Sequence, residues 1–180
     1  PEPPVEEGLP LAAGSEYALK RGKYITLPLE SRTEVSHDTR IFRFALPNKE
    51  HELGLPVGQH LFIRALAPDG TKVLRAYTPL DHGKGFVSFV IKVYFAGVHP
   101  RFPEGGKLTQ HLDKRAIGDT IQVKGPLGEF VFIVGVDKPL HTFTHTPSGG
   151  THAFDAIGFI AGGSGITPVL QTARALLEDT

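Results

Sequence analysis

Three short stretches of the chain carry residue types suited to gripping a phosphorylated, flat-ringed molecule. The first is RAYTP at Arg75–Pro79, where a β-branched run ends in a guanidinium, a phenol and a hydroxyl. Strand alternation puts Arg75 and Tyr77 on one face. A forked, permanently charged donor suits a pyrophosphate, and an aromatic wall beside a hydroxyl suits a conjugated ring. A strand with an exposed Arg and a half-buried Tyr explains the pentapeptide equally well. The second is GGKLT at Gly105–Thr109. Its glycines leave backbone amides open at the start of a short helix, where orphan N–H groups and the dipole favour phosphate, and Lys107 adds charge. Thr109 reads as the N-cap. A glycine turn and a capped helix with no ligand fit the same residues. The third is GGSGITP at Gly162–Pro168, glycines for close backbone approach followed by Pro168 at a helix start. Neither common phosphate fingerprint is met, because Pro168 stands where G-x-G-x-x-G needs Gly and no Gly-Lys-Ser/Thr follows.

Composition excludes other chemistries. The chain has 180 residues and no cysteine, which removes disulfides, thiolate metal sites and cysteine nucleophiles. Redox work would need a borrowed cofactor. His141 and His145 have metal-friendly spacing but no acidic partner nearby, so the nine histidines read as surface or linker residues and no metal site is expected. No Gly-x-Ser-x-Gly elbow supports a hydrolase. Nineteen basic residues balance nineteen acidic ones, so no net field draws nucleic acid or an anionic membrane. No apolar run approaches the roughly twenty residues of a membrane span, and the acidic, proline-rich start is not a signal peptide. A cytoplasmic protein without membrane or nucleic-acid contact is expected.

The elements that must position these stretches are mostly strands. Residues 1–17 mix Pro, Glu and small residues without a period and read as a hinge. Short β-branched and aromatic runs then alternate with Gly, Pro, Asn and Asp turns. Strands are expected at Ile25–Ser31, Arg40–Leu46, His60–Leu66, Val73–Pro79, Phe86–Phe95, Thr120–Gly125 and Glu129–Ile133. In FVSFVIKVYF the period of two puts Val87, Phe89, Ile91, Val93 and Phe95 on the core face, with Ser88, Val90, Lys92 and Tyr94 opposite. So many short strands point to a closed or nearly closed barrel over residues 18–136, interrupted by one short helix. Residues 137–152 read as an interdomain linker or exposed loop. From 153 to 180 an apolar run, a glycine turn and a helix with Leu170, Ala173 and Leu177 on one stripe read as the opening of an α/β domain, incomplete here.

Taken in order, SHDTRIFRFALP, LGLPVGQHLFI, RAYTP, GFVSFVIKVYF, GVHPRFPEGGKLTQHLD, IGDTIQVKGPLG and IAGGSGITPVLQ resemble the ferredoxin-NADP reductase-like flavoproteins. The resemblance is to the FAD-binding region of eukaryotic assimilatory nitrate reductase and to NADH–cytochrome b5 reductase. It runs from about residue 20 to the end of the chain. RAYTP in place of RPYTP, GVHPRFP, GPLG and the Pro/Glu hinge favour the nitrate reductase branch; Lys107 and IGDTIQ lean toward the other.

The resemblance implies a mainly β fold, a six-stranded antiparallel Greek-key barrel holding FAD, followed by the first strand–loop–helix of a truncated Rossmann-like NAD(P)H domain. It implies that Arg75 binds the FAD pyrophosphate, that Tyr77 lies against the isoalloxazine and that Thr78 hydrogen-bonds near its central nitrogen, which makes Tyr77 and Thr78 the residues closest to the chemistry. Val90, Lys92 and Tyr94 would line the cofactor, Phe102 would approach the adenine, and Gly106, Lys107, Leu108 and Thr109 would hold phosphate. Thr167 would face the flavin from the second domain.

Implied partners are NADH or NADPH as donor and a haem domain of the same polypeptide, or cytochrome b5, as acceptor, in a homodimeric parent. Haem and molybdenum cofactor are expected only in other domains. Hydride would pass to the flavin and electrons onward singly, with cofactor chemistry and no protein acid or base. With the later nucleotide domain missing, the chain is expected to bind FAD but to be reduced poorly by NADH. A cytochrome b5 reductase, a non-redox barrel that binds another ligand and a ligand-free structural remnant are the competing readings.

Overall fold

The computed structural model describes residues 16–66, 70–133 and 141–178. The expected hinge up to residue 15 and the start of the expected linker lie outside the described residues. Seven strands form one antiparallel sheet: β1 (Tyr24–Ser36), β2 (Thr39–Ala45), β3 (His60–Leu66), β4 (Lys72–Tyr77), β5 (Asp81–Gly83), β6 (Phe86–Lys92) and β7 (Thr120–Leu127), in the order β4-β3-β7-β1-β2-β6-β5. The six longer strands are those expected from the sequence, and β5 is a three-residue addition at one edge. The mainly β, antiparallel fold expected from the sequence is what the chain adopts. Edge strands β4 and β5 are not neighbours in this order.

Alternation fills the core. In β2, Phe42 and Phe44 point inward, and in β6 Val87, Phe89 and Ile91 do the same, in one cluster with Leu27, Leu29, Leu61, Ile63, Ile121 and Val123; Arg40 is buried on the same face of β2. Register pairs Phe42 with Phe89 and Phe44 with Val87. Full burial of each such side chain is worth about 1.5–3 kcal/mol. Helix α1 (Lys107–Asp113) adds Leu108 and Leu112, one turn apart on its inner face. Arg40 is the one cation in the core interior among the described residues. Its Nε lies 3.2 Å from Asp113 Oδ1 and 3.5 Å from Glu34 Oε1, and its Nη1 donates to Ser36 O at 2.8 Å. That network holds the far end of α1 to the β1–β2 hairpin.

Four expectations need correction. The run Glu129–Ile133, expected in the barrel wall, becomes β8 (Phe130–Ile133) and pairs with β9 (His141–His145), which pairs in turn with β10 (Gly150–Phe154). The expected linker or exposed loop therefore carries β9 and the start of β10; Phe and Thr side chains supplied the strand signal that the Pro and Gly residues masked. The apolar run after Phe154 is not a strand, and Ile160 is fully exposed. A strand needs at least one hydrogen-bonded neighbour, and no described segment pairs with it. Helix α2 (Ile166–Glu178) forms as expected after a 3-10 turn at Gly163–Gly165. Its stripe differs, however: Leu177 is exposed and Thr172 is buried.

Candidate functional site

A cavity of about 690 Å³ opens where β4, the end of β6, the tip of α1 and the start of α2 meet. Its size lies within the roughly 300–1,000 Å³ usual for small-molecule sites. β4 and β6 stand near opposite ends of the sheet order, so the sheet must curl for both to wall one cavity. Eleven of the twelve residues expected at the site line it: Arg75, Tyr77 and Thr78 from β4 and its exit, Val90, Lys92 and Tyr94 from β6 and its exit, Gly106 to Thr109 from α1, and Thr167 from α2. Phe102 is not in the wall; it is exposed and its ring packs on His99 at 5.3 Å.

The individual environments are distinct. Tyr77 is half-buried with its ring edge-on to Phe89 at 6.4 Å, and burial pushes its phenol up to about 12, partly opposed by the Arg75 charge. It stays a protonated donor across the neutral range. Thr78 is buried at the strand exit. Arg75 Nη1 donates to Leu74 O at 2.7 Å, which fixes the guanidinium along the wall. Lys92 pairs with Asp38 at 2.9 Å. That contact holds the Asp38 carboxyl down at about 2, with Thr39 and Ser36 hydroxyls assisting and burial opposing, and it raises the Lys92 ammonium above its ordinary value. Lys92 is therefore half of an ion pair as well as a wall residue.

The tip of α1 is fastened to the end of β6. Gly106 N–H donates to Tyr94 O at 2.7 Å, and Tyr94 N–H donates to Thr109 Oγ1 at 3.2 Å. The helix N-cap is Gly106, not Thr109; Thr109 lies inside the first turn, and its hydroxyl donates back to Gly106 O at 3.2 Å. Glycine is required at position 105, where φ is +67° and a Cβ would collide with Tyr94 O. Leu108 and Thr109 are buried, so Leu108 offers a ligand only its amide. The first amide in the helical ladder is that of Gln110, bonded to Gly106 O at 3.0 Å, and the amides of Leu108 and Thr109 precede it at the cavity. On the opposite wall Thr167 Oγ1 donates to Ser164 O at 3.3 Å, which tightens the glycine turn.

Sequence reasoning did not single out Gly58 and His60, or the Asp38 partner of Lys92. Gly58 and His60 line the cavity, and burial lowers the His60 imidazole, favouring its neutral form. The available signal was the Gly-x-His spacing directly before β3. Among the described residues no group of three His, Cys, Asp or Glu side chains is placed to hold a metal.

The wall fits an anionic, aromatic dinucleotide. It contains three cations, Arg75, Lys92 and Lys107, and no carboxylate, although the whole chain is charge-neutral. The cations and the α1 amides would hold phosphate, and Tyr77 and Tyr94 offer aromatic surface.

Comparison with known proteins agrees. The family model described as oxidoreductase FAD-binding domain matches residues 26–132. The chain is 48% identical over 169 residues to nitrate reductase (NADPH) of Phytophthora infestans, covering 92% of this chain and 18% of that protein. It is 47% identical over 161 residues to NADH-cytochrome b5 reductase 3 of Rattus norvegicus, covering 85% of this chain and 51% of that protein. The chain thus spans about a fifth of one curated relative and about half of the other. The crystal structure of the cytochrome b5 reductase domain of Ulva prolifera nitrate reductase superposes with a TM-score of 0.81 at 38% identity, over 91% of this chain and 60% of that one. Wall chemistry, fold and sequence converge, and the chain belongs to the oxidoreductase FAD-binding domain family.

Proposed function

We propose that this chain is the FAD-binding electron-transfer module of an NAD(P)H-dependent nitrate reductase, accepting hydride equivalents on FAD and passing electrons to a cytochrome b-type haem for reduction of nitrate to nitrite in the cytoplasm. The observation that carries the reading is the cavity wall with three cations, two tyrosines and no carboxylate, in a member of an FAD-binding oxidoreductase family. Residues 18–136 are the FAD domain and 153–180 the start of the NAD(P)H domain, with β9 and the start of β10 between them. The haem domain and molybdenum cofactor belong to the remainder of a homodimeric parent.

Bound FAD supplies the conversion of a two-electron donor into single-electron delivery. The residues of the chain bind and orient. Arg75 and the first-turn amides of α1 hold the pyrophosphate. Tyr77, kept neutral by burial, walls the ring without adding charge, and Thr78 presents its hydroxyl to the ring edge. Lys92, held by Asp38, would present its ammonium at the cavity wall as one half of an ion pair. Thr167 closes the opposite side and limits water.

The test is reconstitution. The purified chain is titrated with FAD, photoreduced and mixed with a cytochrome b5-type haem domain. A flavin band near about 450 nm and haem reduction that follows flavin reoxidation are expected. A colourless chain, or a reduced flavin that leaves the haem oxidised, contradicts the reading. NADH–cytochrome b5 reductase is the second reading, favoured by the nearly equal 47% identity to the rat enzyme. A separate cytochrome b5 accepting electrons faster than the haem domain of a nitrate reductase would select it.

A further inference from the structure

The 3-10 turn and the start of α2 reach the cavity through Ser164, Thr167 and Pro168, yet these belong to a part of the chain far from the seven-stranded sheet in sequence. Two side chains tie that helix to the cavity rim. Gln171 Oε1 accepts from Gly58 N–H at 2.9 Å, and Gln171 Nε2 donates to Gln59 O at 3.3 Å. One helical turn on, Arg174 Nη1 donates to Leu80 O at 2.9 Å. Gln171 follows Thr167 and Pro168 by four and three residues, so all three share one face of α2.

The rim side is equally constrained. Gly58 has φ +92°, and a Cβ there would stand 2.8 Å from Phe130 O. Only glycine presents its N–H in this way while letting β8 approach. The next residue, Gln59, is buried and donates to Gly128 O at 3.0 Å, and His60 lines the cavity. Leu80 lies two residues beyond Thr78. Both anchor points of α2 are thus backbone groups next to cavity walls. The Gln171 amide accepts from one rim residue and donates to the next, a two-point lock.

We infer that Gln171, with Arg174, is a positioning residue that sets how far the Ser164–Pro168 turn stands from the Arg75–Thr78 wall, and so fixes the aperture across which a donor nucleotide meets the flavin. This rests on the FAD reading for its functional meaning; the lock itself does not. Loss of the lock leaves the barrel core intact and lets the α2 turn move.

The experiment uses the whole chain with and without FAD. Gln171→Met keeps side-chain length and helix propensity and removes both hydrogen bonds. The chain has no cysteine, so Val35→Cys and Leu177→Cys, both at exposed positions, give one unique spin-label pair across the junction. In Q171M the Gly58 amide is expected to exchange about five- to tenfold faster by NMR, the loss of one hydrogen bond. The label distance distribution is expected to widen, while amides of β1 and β2 keep their protection. Arg174→Met is expected to widen it in the same direction without exposing the Gly58 amide. Unchanged Gly58 exchange and unchanged label distances in Q171M overturn the inference. So does faster exchange that spreads equally through β1 and β2, which marks general destabilisation. Failure of the parent chain to bind FAD overturns the cofactor reading instead, and the apo measurements still decide the lock.

Discussion

Phe42, Phe44 and Phe89 in the seven-stranded sheet are within 1% of complete burial, whereas Phe130 and Phe154 in the three-stranded sheet remain 44% and 41% exposed. Both regions are aromatic, and they use their rings differently. In the large sheet the rings interdigitate with aliphatic side chains from every strand but the short edge strand β5, and Leu108 and Leu112 of α1 with Leu53 and Leu55 complete the core. In the small sheet the rings stack on one another along the surface: Phe143 lies parallel to Phe154 at 5.4 Å and near His152 at 5.4 Å. The first region is a packed wall with cavity-lining residues built into its strands and their exits. The second, with α2, is held against that wall by backbone and amide contacts such as Phe132 N–H to Val57 O at 2.9 Å. Stability is therefore expected to reside in one region and adjustable position in the other.

Core truncation is the sharpest way to break this contrast. Phe89→Ala should cost about 3–5 kcal/mol in urea unfolding, the usual range for a buried phenylalanine. Phe154→Ala in the small sheet should cost under about 1 kcal/mol, because 41% of its surface already meets water. Equal costs would erase the distinction between the two regions. Next in size is Arg75→Ala, which should weaken FAD binding by about 10- to 100-fold, the worth of charge-assisted hydrogen bonds to phosphate. Its midpoint in urea should move little, since Arg75 lies outside the core. Gly58→Ala probes the seam between the regions; strain at φ +92° and the clash with Phe130 O should cost about 1–3 kcal/mol and loosen β8 before β1, read by hydrogen exchange.

The smallest expected effect is in pH. Burial lowers His60 and His111 below the ordinary value of 6.5, so the unfolded chain binds more protons than the folded one as pH falls through that value. The stability attached to these groups is complete above about pH 6.5 and declines on acidification. Asp38, held at about 2 by Lys92, adds a second loss between its ordinary 3.8 and about 2. Melting temperatures measured from about pH 8 to about pH 2 should fall in these two windows; a melting temperature that rises on acidification below pH 6.5 would contradict the histidine assignment.

What the sequence disclosed follows the same division. Alternation in β6 placed Val87, Phe89 and Ile91 on the core face, as the structure has them, while Ser88, expected on the opposite face, is buried as well. Arg75, Tyr77 and Thr78 were legible because a strand exit limits where their side chains go. Thr109 was misread as a cap, since a Gly-Gly pair leaves the helix start ambiguous and only the bond from Tyr94 N–H reveals the task of the hydroxyl. β9 and β10 were hidden among Thr, Pro and Gly residues, and their pairing partner β8 had a strand pattern compatible with either sheet. Phe102, placed on the adenine by resemblance, shows no local signal for that role and lies outside the cavity wall. The lock at Gln171 was invisible because a polar helix residue carries no mark of a partner more than a hundred positions away.

The most direct measurement is a crystal structure of the chain grown with excess FAD. The pyrophosphate is expected within hydrogen-bond reach of Arg75 and the first-turn amides of α1, with the ring against Tyr77 and Thr78. Density for FAD elsewhere on the molecule, with Arg75 and the α1 tip untouched, would contradict the assignment of this cavity.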